Sequence, residues 1–159
     1  MHIDHIGIAT MSLEKSIRQW EDGFGYKQFT EIVENTRQKV YVVFMTKPKS
    51  IQIKLIEPTD KSSPIYTFAA KGGGLHHLCF KCNDMNVEID RFKSLGMRIL
   101  TPPQPGEAFQ GDKIAFIFAR NGLNVELIDT DKKAKVISEN SEHRTSNVEC
   151  GDRFVPSIG

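Results

Sequence analysis

Two short stretches of this chain repeat each other, and that repeat restricts the fold more than any other feature. Ile3-Asp4-His5-Ile6-Gly7-Ile8 returns as Leu75-His76-His77-Leu78-Cys79-Phe80, just after the run Gly72-Gly73-Gly74. Laying His77 on His5 sets an offset of 72 residues. The same offset carries Lys54, in Lys54-Leu55-Ile56-Glu57, onto Glu126, in Glu126-Leu127-Ile128-Asp129. Two strand-like segments sharing one offset imply a duplicated module with a site where the copies face each other.

Each copy reads as strand, helix, then three strands, an α+β arrangement. Residues 2–9 alternate, with Ile3, His5 and Gly7 on one face and Asp4, Ile6 and Ile8 on the other. Ser12 suits a helix N-cap, and Leu13, Ile17, Trp20 and Phe24 recur at helical spacing, so a helix is predicted over 13–22 with Gly23 and Gly25 ending it. Strands are predicted over 26–34, 38–45 and 51–57. A linker over 58–73 holds a short helical piece around Ile65–Ala70. The second copy has a strand over 75–82, a helix capped by Asp84 and ended by Gly96, then a strand over 97–101. A loop with Pro102, Pro103 and Pro105 follows, then strands over 113–119 and 124–129. The domain is expected over 1–130, with copy one at 1–57 and copy two at 74–130, and residues 131–159 form a polar tail.

The totals exclude several classes of partner. The 159 residues suit one domain, and a net charge of +1 gives no electrostatic case for nucleic acid or an anionic membrane. No apolar run approaches the roughly 20 residues that span a bilayer, and the N-terminus lacks a secretory pattern. Cys79, Cys82 and Cys150 read as free thiols in a reducing cytoplasm. The Cys79-x-x-Cys82 spacing puts the two on opposite strand faces, so buried thiols are expected rather than a zinc or redox pair. The glycines at 72–74 read as a flexible lead into a strand, not a phosphate cradle, because no helix begins there.

The chemistry lies in the repeat. His5 and His77 sit on the first strand of each copy, and Glu126 on the last strand of the second. Two imidazoles and a carboxylate suit a borderline divalent metal: Zn, Co, Ni, Fe or Mn. Such an ion would polarise a substrate oxygen and stabilise an enolate-like charge. His76, next in line to His77, is expected on the opposite face.

These segments resemble the vicinal oxygen chelate superfamily, which includes glyoxalase I and type I extradiol dioxygenases. Ile56-Glu57-Pro58, Ser63-Pro64-Ile65 and Gly73-Gly74-Leu75-His76-His77 are most similar to its methylmalonyl-CoA epimerases. The resemblance covers about residues 1–130. It implies paired βαβββ modules in a half-open barrel around a central cleft and a divalent metal held by His5, His77, Glu126 and the residue at position 54. It implies proton transfer next to a thioester carbonyl, with a carboxylate as base. Two departures stand out. Position 54 is Lys rather than Gln or Glu, and Ala119–Leu123 is shorter than the loop epimerases often carry there. A protonated lysine has no lone pair to offer a metal. Lys54 could act as a neutral base, turn away while Gln52 or water completes the metal site, or pair with Glu126 in place of the metal; the Gln52 or water site is the expectation.

The resemblance thus implies a metal-dependent isomerase or epimerase acting on a small molecule, an acyl-CoA or other thioester. The alternatives on the same fold are a drug-sequestering binding protein and a glyoxalase-type lyase. Exposed strand edges make a homodimer compatible with the sequence.

Overall fold

The computed structural model describes residues 1–138; positions 139–159, which hold most of the expected tail and Cys150, lie outside the described residues. The first strand, β1 (His2–Ala9), buries His5, Gly7 and Ala9 and leaves Asp4, Ile6 and Ile8 partly open. Helix α1 (Leu13–Phe24) starts where the Ser12 side chain accepts from the Lys15 backbone N–H, and ends at Gly25 with φ of 69°. Gly23 stays inside the helix instead of ending it, and Phe24 packs on Trp20 at 5.0 Å to hold the last turn together.

The other elements are β2 (Lys27–Gln28), β3 (Val33–Asn35), β4 (Val40–Thr46), β5 (Gln52–Pro58), α2 (Tyr66–Ala70), β6 (Gly74–Lys81) and α3 (Met85–Ser94). Then come β7 (Arg98–Pro105), β8 (Lys113–Phe118) and β9 (Asn124–Ile128). β1 and β6 start and end 72 residues apart, as do the first residues of α1 and α3. The strands form one nine-stranded open sheet in the order β2-β4-β5-β1-β6-β9-β8-β7, with β3 paired on β4. β1 and β6 run antiparallel at its centre, each flanked by the parallel last strand of its own copy.

Two predicted boundaries move. The single strand expected over 26–34 is two short pieces, because Phe29 O and Glu31 N–H hydrogen bond to residues of the tail. The strand expected to stop at Thr101 runs on to Pro105. Its prolines are tolerated because β7 is the edge of the sheet and pairs only with β8.

Helices α1 and α3 cover one face of the sheet. Leu13 of α1 packs with Val43, Met45, Ile53 and Leu55. Met85 and Ile89 of α3 pack with Ala115, Ile117 and Leu127. Phe44, Ile56, Phe109 and Ile128 fill the inner face, where the two copies curve toward each other. Cys79 and Cys82 are buried free thiols in different clusters. Among the described residues, no helix is long and apolar enough to cross a membrane.

The start of the tail belongs to this inner layer. Glu31 N–H donates to Lys135 O, Ile137 N–H to Phe29 O, and Ala134 N–H to Ala108 O. These bonds carry Lys133 into the interior, 5% exposed, with Nζ 3.1 Å from Asp4 Oδ1 and 5.2 and 5.0 Å from the Phe44 and Phe109 ring centres. A buried ammonium is tolerated here because a carboxylate and two ring faces replace water. Lys133→Ala should lower stability by about 3 kcal/mol, since it strips Asp4 of its counter-charge and opens space beside two rings. Urea unfolding of the variant measures this, and an unchanged midpoint would show that the 131–138 segment does not hold the domain together.

Candidate functional site

The site is built from two rows of side chains that cross the middle of the sheet. One row runs Gln52 on β5, His5 on β1, Cys79 on β6 and Glu126 on β9. The next, two residues along, runs Lys54, Gly7, His77 and Asn124. Gly7 and Cys79 are symmetry counterparts, and each leaves room for an imidazole from the neighbouring strand. A Cβ on Gly7 would lie 2.1 Å from His77 Cε1, inside the ring's own volume. Only the missing side chain lets that ring lie across β1.

The charged centre is compact and dry. His5, Lys54, His77 and Glu126 are all 2% exposed or less. Lys54 Nζ donates to Glu126 Oε1 and Oε2, each at 2.9 Å. His5 Nε2 lies 2.9 Å from Glu126 Oε2. His77 Nε2 lies 3.0 Å from the same oxygen but out of hydrogen-bond alignment, so it is a buried polar atom without a bonded partner. Lys54 Nζ is also 5.9 and 5.0 Å from the centres of the Phe44 and Phe109 rings. Lys54, His76 and His77 open onto a cleft of about 300 Å³ whose walls include Val40, Ile56, Ile65 and Phe116.

His76 does not sit on the opposite face as alternation predicts. The pairing of β1 with β6 slips by one residue twice, leaving Asp4 and His76 each unpaired in a bulge. The two bulges are related by the repeat. Each turns the residue before a site histidine toward that histidine's far nitrogen. Asp4 Oδ1 is 2.6 Å from His5 Nδ1, and His76 Nδ1 is 2.9 Å from His77 Nδ1. Asp4, His76 and Lys133 are the site residues that sequence reading missed. The repeat relates the first two, since Asp4 and His76 are also 72 residues apart.

Residues 4–116 match the glyoxalase/bleomycin resistance protein/dioxygenase superfamily. The chain belongs to that superfamily. The ethylmalonyl-CoA/methylmalonyl-CoA epimerase of Cereibacter sphaeroides is 31% identical over 129 residues, 79% of this chain and 95% of that protein. The crystal structure of methylmalonyl-CoA epimerase from Mycobacterium tuberculosis is similar at a TM-score of 0.72 and 30% identity, over 80% of this chain and 86% of that one. A Streptomyces coelicolor methylmalonyl-CoA epimerase variant in complex with 2-nitronate-propionyl-CoA is similar at a TM-score of 0.73 and 26% identity, over 82% and 98% of the two chains.

His5, His77 and Glu126 present donor atoms all within 4.8 Å of one another, the set from which this superfamily member would build a metal site. Gln52 is elsewhere: with Asp4 and Lys133 it lines a separate cavity of about 520 Å³. It pairs directly with His5, in the same row as Glu126, yet makes no bond to the charged centre and faces the other cavity. Position 54 therefore decides the fit, and of the three arrangements open to Lys54 it is the ion pair with Glu126 that is formed. An ammonium is already bonded to both oxygens of the carboxylate a metal would need. At about 4 Å and an effective dielectric of about 20, a dication and an ammonium repel by roughly 8 kcal/mol. With Lys54 so placed, the residues do not fit a resident divalent ion. Burial and the neighbouring Glu126 push the Cys79 thiol well above its ordinary range.

Burial drives the His77 imidazole down to about 4, against the pull of Glu126 and with help from Lys54 and His5. Burial and Lys54 lower His76 as well. Burial alone would raise Glu126, but Lys54, His77 and His5 outweigh it and hold the carboxyl well below its ordinary range. The unfolded chain protonates His77 near 6.5, whereas the folded chain resists until about 4, so protons favour unfolding in that window. Stability should be full above pH 6.5 and fall by up to about 3 kcal/mol as pH drops to 4. Below 4.5 Glu126 adds a loss of the same sign, since the unfolded carboxylate takes a proton first. Urea midpoints across this range check the slope; a flat profile would mean His77 is not held neutral.

Proposed function

We propose that this protein is an isomerase that moves the proton on the carbon next to a thioester carbonyl, as an epimerase does. One observation carries the reading: a single cleft brings together an imidazole pair held neutral and an ammonium with a spare N–H. An ammonium has three N–H donors. Two of those on Lys54 are given to Glu126, which leaves one for a substrate oxygen. The similarity to methylmalonyl-CoA epimerases, and the acyl-CoA analogue in one of those complexes, support a thioester as the substrate.

In this reading the α-carbon lies over His76, whose Nε2 is the ring nitrogen not facing His77. His76 takes the α-proton, the C–H electron pair moves into the carbonyl, and Lys54 donates to the enolate oxygen that forms. Glu126 stays ionised behind Lys54 and holds its charge in place. The α-carbon of the enolate is planar, so a proton returned to its other face inverts the centre. Glu126 itself is not the base here, because its oxygens are already engaged by Lys54 and His5 and it is fully buried.

Incubating the protein with methylmalonyl-CoA or ethylmalonyl-CoA in D₂O tests this by mass spectrometry and NMR. One deuteron should enter the α-carbon with no other change. His76→Ala and Lys54→Met should each slow exchange by about 100-fold or more while the thioester still binds. Tight stoichiometric binding with no exchange would overturn the reading in favour of a sequestering protein.

A further inference from the structure

We propose that Lys54 is the resident cation of this site, so that the protein folds and works without the divalent metal its donor set suggests. The inference deepens the isomerase reading in its catalytic half only; the exclusion of metal stands on geometry alone.

The buried layer of the inner face holds four formal charges, and they cancel in pairs. Lys54 is bonded to Glu126 at 2.9 Å, and Lys133 to Asp4 at 3.1 Å. His5 lies between the two pairs, and His5 and His77 reach toward Glu126 from opposite copies. A dication placed among His5, His77 and Glu126 would leave two positive charges uncompensated in a region 2% exposed or less. Burying charge without a partner is among the costliest changes a core can undergo.

Symmetry identifies what Lys54 replaces. Positions 54 and 126 correspond through the repeat, as do 5 and 77. Neutral or acidic oxygen donors at both 54 and 126 would give two imidazoles and two oxygens, a complete four-ligand set. The chain instead places an ammonium at one of the two oxygen positions. It supplies one positive charge where an ion would supply two, and it satisfies the remaining carboxylate directly. The ammonium is fixed by a chelating pair of hydrogen bonds and by the Phe44 and Phe109 rings at 5.9 and 5.0 Å. It needs no exchange with solution to be present. A cation delivered by the backbone can do at an enolate oxygen what a bound ion would do, through a charge-assisted hydrogen bond.

His77 Nε2 keeps the trace of the alternative arrangement. It is buried, 3.0 Å from Glu126 Oε2, and has no aligned hydrogen bond. Lys54→Gln would remove the ammonium and put an amide oxygen in its place. His77 and Glu126 would then be free to coordinate.

The decisive experiment is a titration of purified wild type and Lys54→Gln with Co²⁺, read by visible d–d absorption and by elemental analysis after desalting. Wild type should retain less than about a tenth of an equivalent, and its melting temperature should not move with Co²⁺ or with a chelator. Lys54→Gln should retain about one equivalent and be stabilised by it. D₂O exchange by wild type should be unchanged by chelator. A wild type that holds stoichiometric cobalt overturns the inference and leaves the isomerase reading intact. A Lys54→Gln chain that folds but holds none overturns it too, since Lys54 would not be what keeps metal out. If that variant fails to fold, the wild-type measurement still decides. A metal-free wild type that exchanges no α-proton counts against the isomerase reading and not against this one.

Discussion

Lys54 and Glu126 meet across a two-strand gap, and the rest of the centre is arranged around that contact. They come from β5 and β9, which do not touch. β1 and β6 lie between them, paired antiparallel, and carry one imidazole each into the space above. The contact is possible because the residues directly beneath it are Gly7 and Cys79. A larger residue at Gly7 would collide with the His77 ring, and its counterpart Cys79 is fully buried.

Duplication explains why such a site is easy to build and easy to modify. An antiparallel pairing of two equivalent strands creates an approximate two-fold axis, so every position is presented twice around one point. Equal residues at paired positions give symmetric side chains, as with His5 and His77. Unequal residues at paired positions give roles of opposite sign, as with Lys54 and Glu126. The two bulges follow the same logic: Asp4 places a carboxylate behind one imidazole, and His76 places a second imidazole behind the other. Both histidines are thereby supported from their far nitrogen, His76 lining the cleft beside Lys54 and Asp4 lining the separate cavity with Gln52 and Lys133.

Burial is what gives these groups their character. Water would screen the Lys54–Glu126 pair to a fraction of a kcal/mol. In a layer 2% exposed or less, Lys54 helps keep Glu126 ionised, while burial keeps His77 neutral against the pull of Glu126. Lys133 extends that layer from a segment that composition alone marks as polar and peripheral. It is drawn in because the backbone of 134–137 completes hydrogen bonds that Phe29–Glu31 and Ala108 would otherwise lack.

Period-two alternation, helical spacing and the 72-residue repeat were enough to read the α+β modules and to single out His5, His77, Glu126 and Lys54, because each is a local pattern or a comparison of the chain with itself. The bulges at Asp4 and His76, the edge position that lets β7 carry prolines, and the burial of Lys133 were not readable. Each depends on which strand lies beside which, and on one-residue slips in pairing that leave no mark in composition. The sequence by itself determined that two imidazoles, a carboxylate and a lysine occupy equivalent positions in two copies. Whether the lysine turned away from that carboxylate or bonded to it was decided only by the tertiary structure, because the choice rests on distance and dehydration, which exist once the strands have closed around the site.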